Sequence, residues 1–403
     1  MTKLKRTLGL FEVTVASVGI ILGAGIYALI GIAASSAGNA TWLSFLISAL
    51  IAIFTGLSYA ELSSMFKEDS GEYAYLSAAF NKKFALIIGL SMIAAGFVSA
   101  SAVALGFAGY LSGLINIPVI TGAILLVIIM SLINFKGIKE SSWFNTVSTF
   151  IEFFGLLVII FLGITKFGKV DYFEMPHGFS GVFSSAALVF FAYMGFESII
   201  KLEEETKNPE KTIPKALVYS IIITSVVYIL VAISVVSIIG WEELAASEAP
   251  LADVAAAAFG PIAFLILGII ALFSTSNTVL ITMVTTSRMI YGIAERKALP
   301  SMFMQVHKKT RTPYIAIFTL MVITIAFVLI GDIEFVANLT NLFLFATFAS
   351  VNLGLIVLRY KCKNKKRAFT CPVNIGKFSI IALIGFLSSL FMLGFVIKNL
   401  IAG

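Results

Sequence analysis

The sequence predicts an all-α integral membrane protein, from an apolar composition, a series of long apolar runs and an uneven placement of basic residues. Of the 403 residues, 59% are hydrophobic and only 12% are charged, and the mean hydropathy is +1.03. Soluble domains usually contain about 25% charged residues. This chain has too few charges to cover a water-exposed surface, so we expect it to lie in a lipid bilayer.

Eleven apolar runs are long enough to cross a bilayer as helices. A transmembrane helix needs about 20 apolar residues to span a hydrocarbon core of roughly 30 Å. We therefore expect about 11 transmembrane helices. The predicted spans cover residues 11–34, 42–64, 84–112, 118–135, 144–165, 181–200, 216–239, 258–286, 313–331, 335–358 and 378–400.

The basic residues lie almost entirely on one side of these spans. Of the 28 Lys and Arg residues, 25 fall in the N-terminal segment or in every second loop, and the other 3 are Lys166, Lys169 and Lys398. Because basic loops face the cytoplasm, we predict a multi-pass protein of the cell (plasma) membrane with a cytoplasmic N-terminus. Topology thus explains the net charge of +7, and we expect no nucleic acid partner.

Two predicted spans carry signals for an interrupted helix. Span 1 contains GIILGAGIY (19–27), with Gly19, Gly23 and Gly25, and span 6 contains FFAYMGFES (190–198), with Gly195 before Glu197. Paired interruptions in corresponding spans are typical of inverted-repeat transporters. We predict a single transporter domain over 1–403, with repeats at about 11–165 and 181–358 and an extra helix at about 378–400.

An interrupted helix offers chemistry that a continuous one does not. Unwinding exposes amide N–H groups, where the helix dipole favours an anion, and carbonyls that accept hydrogen bonds from an ammonium group. A different explanation stays open, because Gly19 and Gly23 also form the G-x-x-x-G spacing of packed membrane helices. We predict that the two interruptions form a binding site.

Several segments resemble the amino acid–polyamine–organocation (APC) superfamily of permeases. The resemblance rests on GAGIY in span 1, FFAYMGFES in span 6 and two loop motifs, and it covers most of the chain in order. The motifs are E-E-x-T-K-N-P-x-x-x-I-P within 202–217 and S-R…A-L-P…T-P-Y within 287–314. The resemblance implies a five-plus-five inverted-repeat transporter fold with discontinuous helices 1 and 6. It also implies movement of amino acids or related amines by alternating access.

The resemblance also implies a set of substrate contacts. The backbone of Gly23, Ala24 and Gly25 would hold the α-carboxylate. The carbonyls of Ile20 and Ile21, with those near Phe191 and Ala192, would receive the α-amino group. Phe191 matches a position that often carries an aromatic gate, although lipid or core contact explains an aromatic residue here equally well. Tyr193 and Gly195 complete the predicted set.

Two acids are predicted to lie deep in the membrane. Glu152 falls within span 5, and Glu197 follows the interruption in span 6. An ionisable residue inside a bilayer is costly and marks a functional site by default. By contrast, we expect Glu61, Arg288 and Arg359, at predicted cytoplasmic span ends, to reach water with their charges.

Glu152 matches a position where proton-coupled relatives often carry a lysine, close to the ion site of sodium-coupled relatives. It is predicted to relay a proton, because burial favours the neutral form of a carboxylic acid. Two alternatives stay open: a Na⁺ site completed by Ser274, Thr275 and Ser276, or a purely structural hydrogen bond. Glu197 is either a second protonatable group or a link between spans.

The residues near the interruptions are apolar or small, which favours a neutral or hydrophobic amino acid as the substrate. We predict a secondary active transporter that imports it by alternating access with proton coupling. A cationic amino acid or polyamine is the alternative substrate, and Na⁺ the alternative coupling ion. From another class, an ion-translocating subunit would need a row of buried lysines that the sequence lacks. We expect no enzyme activity, metal or cofactor, and the sequence leaves the oligomeric state open.

Overall fold

A computed structural model describes residues 8–66, 71–199, 206–362, 365 and 367–402. The described residues form fourteen α-helices and one two-stranded hairpin. The helices are α1 Leu10–Ile21, α2 Gly25–Ala37, α3 Thr41–Met65, α4 Gly71–Ala79, α5 Lys82–Ile115, α6 Val119–Lys136, α7 Ile138–Ile164, α8 Gly178–Val189, α9 Pro209–Ala245, α10 Pro250–Phe259, α11 Pro261–Glu295, α12 Tyr314–Val328, α13 Ile333–Lys361 and α14 Ile380–Ala402; the strands are β1 Asn374–Ile375 and β2 Phe378–Ser379.

The structure confirms the predicted all-α membrane fold. Within the described residues, nine helical stretches are long and apolar enough to cross a bilayer, and the first of them, Gly25–Met65, combines α2 and α3. The helices α1 and α12 are apolar but shorter. All eleven predicted spans coincide with helical segments. The helix α4 and most of α10 lie between the predicted spans, and the predicted span 258–286 begins in the last two residues of α10.

Three helices begin at a proline. Pro209, Pro250 and Pro261 occupy the first position of α9, α10 and α11, where the missing N–H of proline costs no hydrogen bond. The helix α9 extends beyond its predicted span at both ends, to a kink at Gly240 (φ 73°) and one turn further. The predicted span 216–239 covered only the apolar part of this helix, because it was drawn from hydrophobicity alone.

Both predicted interruptions are present. The helix α1 ends at Ile21, Leu22 takes a non-helical ψ of 121°, and α2 begins at Gly25. The helix α8 ends at Val189 and continues as a 3-10 turn over Phe190–Tyr193. The chain is then extended at Met194 (ψ 137°) and left-handed at Gly195 (φ 117°). The pair is what an inverted repeat requires, while the repeat boundaries at 11–165 and 181–358 stay a prediction.

Candidate functional site

The two interruptions touch each other directly. A Cβ atom added to Gly25 would lie 2.6 Å from the Cα of Ala192, and one added to Gly195 would lie 2.8 Å from the carbonyl oxygen of Ile20. Ile20 thus lies opposite Gly195, and Gly25 lies opposite Ala192. The two segments therefore run in opposite directions where they cross. Glycine is required at Gly25 by the close approach and at Gly195 by the positive φ as well.

The carbonyl ends of the two broken helices meet at Tyr228 on α9. The Tyr228 hydroxyl lies 3.1 Å from the carbonyl oxygen of Ile21 and 3.2 Å from that of Ala192. Tyr228 is fully buried. The single hydroxyl proton of Tyr228 is shared between two carbonyl oxygens. These oxygens can therefore accept further hydrogen bonds from a cation. The sequence prediction had placed an ammonium group at these carbonyls.

The amide end of the first interruption faces Thr278 on α11. The Ala24 N–H donates to the Thr278 hydroxyl over 3.0 Å, and a Cβ added to Gly23 would lie 3.3 Å from the same oxygen. The amides of residues 25–27 come before the first hydrogen bond of α2, which runs from the Ala28 N–H to the Ala24 carbonyl over 2.8 Å, and such amides have no acceptor one turn earlier in the helix. Together with the helix dipole they form an environment that favours an anion.

The aromatic residues of the second interruption have different surroundings. Phe191 is buried in the same apolar cluster as Ala24, and the next residue, Ala192, is the one that approaches Gly25 of the first interruption. Tyr193 is fully buried and donates its hydroxyl to the carbonyl of Phe45 on α3 over 3.0 Å. The Tyr193 hydroxyl therefore joins the 3-10 turn to α3, and its ring packs edge-on against Tyr228 with the ring centroids 5.5 Å apart.

Glu152 on α7 is fully buried beside the first interruption. Its backbone carbonyl accepts a hydrogen bond from Tyr27 on α2 over 2.9 Å, and the Tyr27 carbonyl accepts one from Tyr110 on α5 over 3.0 Å. Neither carboxyl oxygen of Glu152 has a hydrogen-bond partner among the described residues. Since buried polar groups are normally paired, this carboxyl has spare capacity for a proton or an ion.

The other predicted coupling residues are placed differently. The Ser274 hydroxyl interacts with the Glu152 carboxyl, but the two groups do not reach hydrogen-bonding geometry. The hydroxyls of Thr275 and Ser276 donate to carbonyls of their own helix, at Ala271 and Leu272.

Glu197 contributes to the second interruption. It accepts a hydrogen bond from the Gly195 N–H over 2.9 Å and so closes the turn after the break. The structure thus brings Ser274 to Glu152, while Glu197 lies at the left-handed turn that follows α8.

Sequence reasoning did not identify Tyr228, Thr278 and Tyr27. Each is a polar residue inside an apolar run, and the long-range hydrogen bonds that give it a role join segments far apart in sequence. Their only signal in the sequence was a hydroxyl group in a predicted span, which many other residues of this chain share.

The chain was compared with known proteins. Residues 8–401 match a family model described as amino acid permease. The branched-chain amino acid permease BcaP of Bacillus subtilis (strain 168) is 31% identical over 393 residues, which cover 92% of this chain and 84% of the relative. BcaP of Lactococcus lactis subsp. cremoris is 25% identical over 93% of this chain and 86% of its own. Cationic amino acid transporter 1 of Arabidopsis thaliana is 28% identical over 89% of this chain and 63% of its own.

Proposed function

The chain belongs to the amino acid permease family, and we propose that it is a secondary active transporter that imports a neutral or hydrophobic amino acid by alternating access. The observation that carries the proposal is the crossing of two interrupted helices. Carbonyls of Ile21 and Ala192 meet at one point, and the amide end of α2, at Gly25, lies four residues beyond Ile21. A zwitterion needs both kinds of group.

The surroundings of the crossing support an uncharged side chain in the substrate. Ala24 and Phe191 lie in one buried cluster with Leu29, Val98 and Leu188, all of them apolar. A cationic side chain would be costly here without a paired carboxylate. Two relatives are named for branched-chain amino acids, and this agrees with a hydrophobic substrate.

Glu152 is the residue that we propose for coupling to protons. It is buried, its backbone carbonyl accepts a hydrogen bond from the Tyr27 hydroxyl, and its carboxyl has no hydrogen-bond partner in the described part of the chain. A carboxyl in this setting can hold a proton on one side of the membrane and release it on the other, because burial penalises its charged form. We place the protein in the plasma membrane with its basic loops in the cytoplasm.

A second candidate function is the transport of cationic amino acids. Glu152 supplies a buried carboxyl near the crossing that could pair with a cationic side chain, and some relatives are named for cationic amino acids. In that case Glu152 would select the substrate by pairing with its cationic side chain and would not carry the coupling proton. Alternatively, Glu152 would bind Na⁺ as the coupling ion.

One experiment separates these possibilities. Purified protein in proteoliposomes is given a panel of radiolabelled neutral and cationic amino acids, with a pH gradient, a Na⁺ gradient or neither. We expect uptake of leucine, isoleucine or valine that a pH gradient drives. Glu152→Gln should abolish gradient-driven accumulation and leave counterflow exchange intact.

Glu243→Gln is the matched control, because Glu243 is exposed near the end of α9. Uptake of lysine or arginine in place of leucine would favour the second candidate. Failure to transport any amino acid would refute the proposal.

A further inference from the structure

A file of polar side chains lies between α7 and α11. On α7 it consists of Asn145, Ser148 and Glu152, which recur at helical spacing on one face. On α11 it consists of Ser274 and Asn277. We call these five residues the α7–α11 file. Asn145 and Asn277 are joined by a side-chain hydrogen bond of 3.0 Å, and Ser274 interacts with Glu152.

The two helices are antiparallel, so the file runs along their shared direction. Asn145 contacts Asn277, while a Cβ added to Gly155 would lie 2.5 Å from the Ile270 side chain. Residues later in α7 therefore contact residues earlier in α11, as in an antiparallel helix pair. Asn145 is half-buried near the end of α7 that is predicted to face the cytoplasm. Seven residues separate it from Glu152, or about 10 Å along the helix axis.

Several buried atoms of the file have no hydrogen-bond partner. Among the described residues, this holds for the hydroxyls of Ser148 and Ser274, the side-chain carbonyl of Asn277 and both carboxyl oxygens of Glu152. Native proteins pair the large majority of such atoms with protein groups or with ordered water. A buried water molecule typically makes about three hydrogen bonds, and these five atoms face one helix interface.

We propose that the α7–α11 file holds a chain of water molecules through which the Glu152 proton leaves for the cytoplasm. The carboxyl O–H of Glu152 gives its proton to the first water, which passes one on in turn, and the carboxylate remains until it is protonated from the opposite side. The hydroxyls and the Asn277 carbonyl hold the waters in line. Glu152 also interacts electrostatically with two phenols outside the file, those of Tyr27 on α2 and Tyr228 on α9. The proposal rests on the function proposed above, since it assigns a route to the same carboxyl.

The test replaces the Asn277 amide by an apolar group of similar size. In proteoliposomes, Asn277→Leu should slow leucine uptake driven by a pH gradient at least tenfold and leave counterflow exchange within twofold of the wild type. Asn134→Leu is the matched control, because Asn134 is an equally buried amide that contacts α11 outside the file, at Ser287 over 3.4 Å. Ser148→Ala gives a second, milder interruption of the file.

A further readout does not depend on transport. Infrared difference spectra, assigned with Glu152→Gln, follow hydrogen–deuterium exchange of the Glu152 carboxyl in the purified protein. We expect exchange to be at least tenfold slower in Asn277→Leu than in the wild type and unchanged in Asn134→Leu.

Unchanged hydrogen–deuterium exchange and unchanged gradient-driven uptake in both Asn277→Leu and Ser148→Ala would overturn the file as the route of the proton. The coupling role of Glu152 would still stand if Glu152→Gln abolishes gradient-driven uptake. Driven uptake that survives Glu152→Gln would instead refute the coupling role itself.

Discussion

Gly25 lies so close to Ala192 that a Cβ atom added to Gly25 would fall 2.6 Å from the Ala192 Cα. This contact joins the start of α2 to the 3-10 turn after α8, and it brings the two interruptions together at one point. The crossing depends on a missing side chain, so substitutions here test the site directly.

Gly25→Ala should reduce leucine uptake at least tenfold. The added methyl group would lie 2.6 Å from the Cα and 2.8 Å from the Cβ of Ala192, so the two segments must separate. Gly292→Ala is the control, because no described residue apart from the neighbouring backbone of its own helix lies within 4 Å of a Cβ at Gly292, and helical Gly→Ala substitutions are stabilising when they fit. Initial uptake rates normalised to the purified protein give the comparison. Wild-type uptake by Gly25→Ala would show that the crossing tolerates separation.

Tyr228→Phe should weaken leucine binding at least fivefold. The substitution removes the hydroxyl that holds the carbonyls of Ile21 and Ala192 at one point. Without the hydroxyl, the two carbonyls are no longer held toward one point, so the substrate ammonium group can pair with fewer of them. Equilibrium binding to detergent-solubilised protein measures the dissociation constant. Tyr219→Phe is the control on the same helix, since Tyr219 is exposed. Equal dissociation constants for Tyr228→Phe and the wild type would contradict the role of the hydroxyl.

A buried ion pair joins the ends of α3 and α13. Glu61 is fully buried and Arg359 nearly so, with Arg359 Nε 2.9 Å from Glu61 Oε1. Glu61 also accepts from the Cys371 N–H over 2.8 Å. The expectation that Glu61 and Arg359 reach water is therefore wrong, because the loop before α14 covers them; Arg288 is exposed, as expected.

Arg359→Met should lower the free energy of unfolding by about 3–5 kcal/mol, because it leaves the Glu61 charge buried with fewer partners. The double variant Glu61→Leu/Arg359→Met should recover part of this loss, since the only charge among the described residues that then loses a partner is that of Arg367, whose Nε lies 3.3 Å from Glu61 Oε1 and whose side chain is 18% exposed. Thermal melting in detergent gives both values, with Lys308→Met as an exposed control. If the two substitutions acted independently, the double variant would melt at a lower temperature than Arg359→Met, by as much as Glu61→Leu alone lowers the melting temperature of the wild type. That result would contradict the pairing.

Cys371 should resist thiol reagents in the folded protein. Burial, with a further contribution from the negative charge of Glu61, raises the pKa of the Cys371 thiol well above its ordinary value. The thiol donates to the Leu57 carbonyl over 3.0 Å. Since the thiolate is the reactive form, labelling at neutral pH should be slow and should increase only at strongly alkaline pH.

Maleimide labelling of a Cys362→Ser variant, followed by mass spectrometry, isolates Cys371. Labelling should become rapid after denaturation, which provides the control for reagent quality. Fast labelling of the folded variant at neutral pH would show that the loop before α14 opens.

The sequence determined the membrane environment, the helical segments and the two interruptions. These properties follow from local chemistry: a run of about 20 apolar residues must be helical in lipid, because its backbone groups have no other partners. Gly25 and Gly195 also marked the interruptions, since glycine accepts backbone angles and contacts that other residues do not.

Only the tertiary structure decided what faces the interruptions. Tyr228 and Thr278 lie more than 200 residues from the segment that they contact, and nothing in their own sequence neighbourhood specifies that contact. The same holds for Glu61 and Arg359, whose burial depends on a loop that folds over both. Local sequence fixes backbone conformation through short-range sterics and solvation, whereas a side chain's partner depends on how distant helices pack.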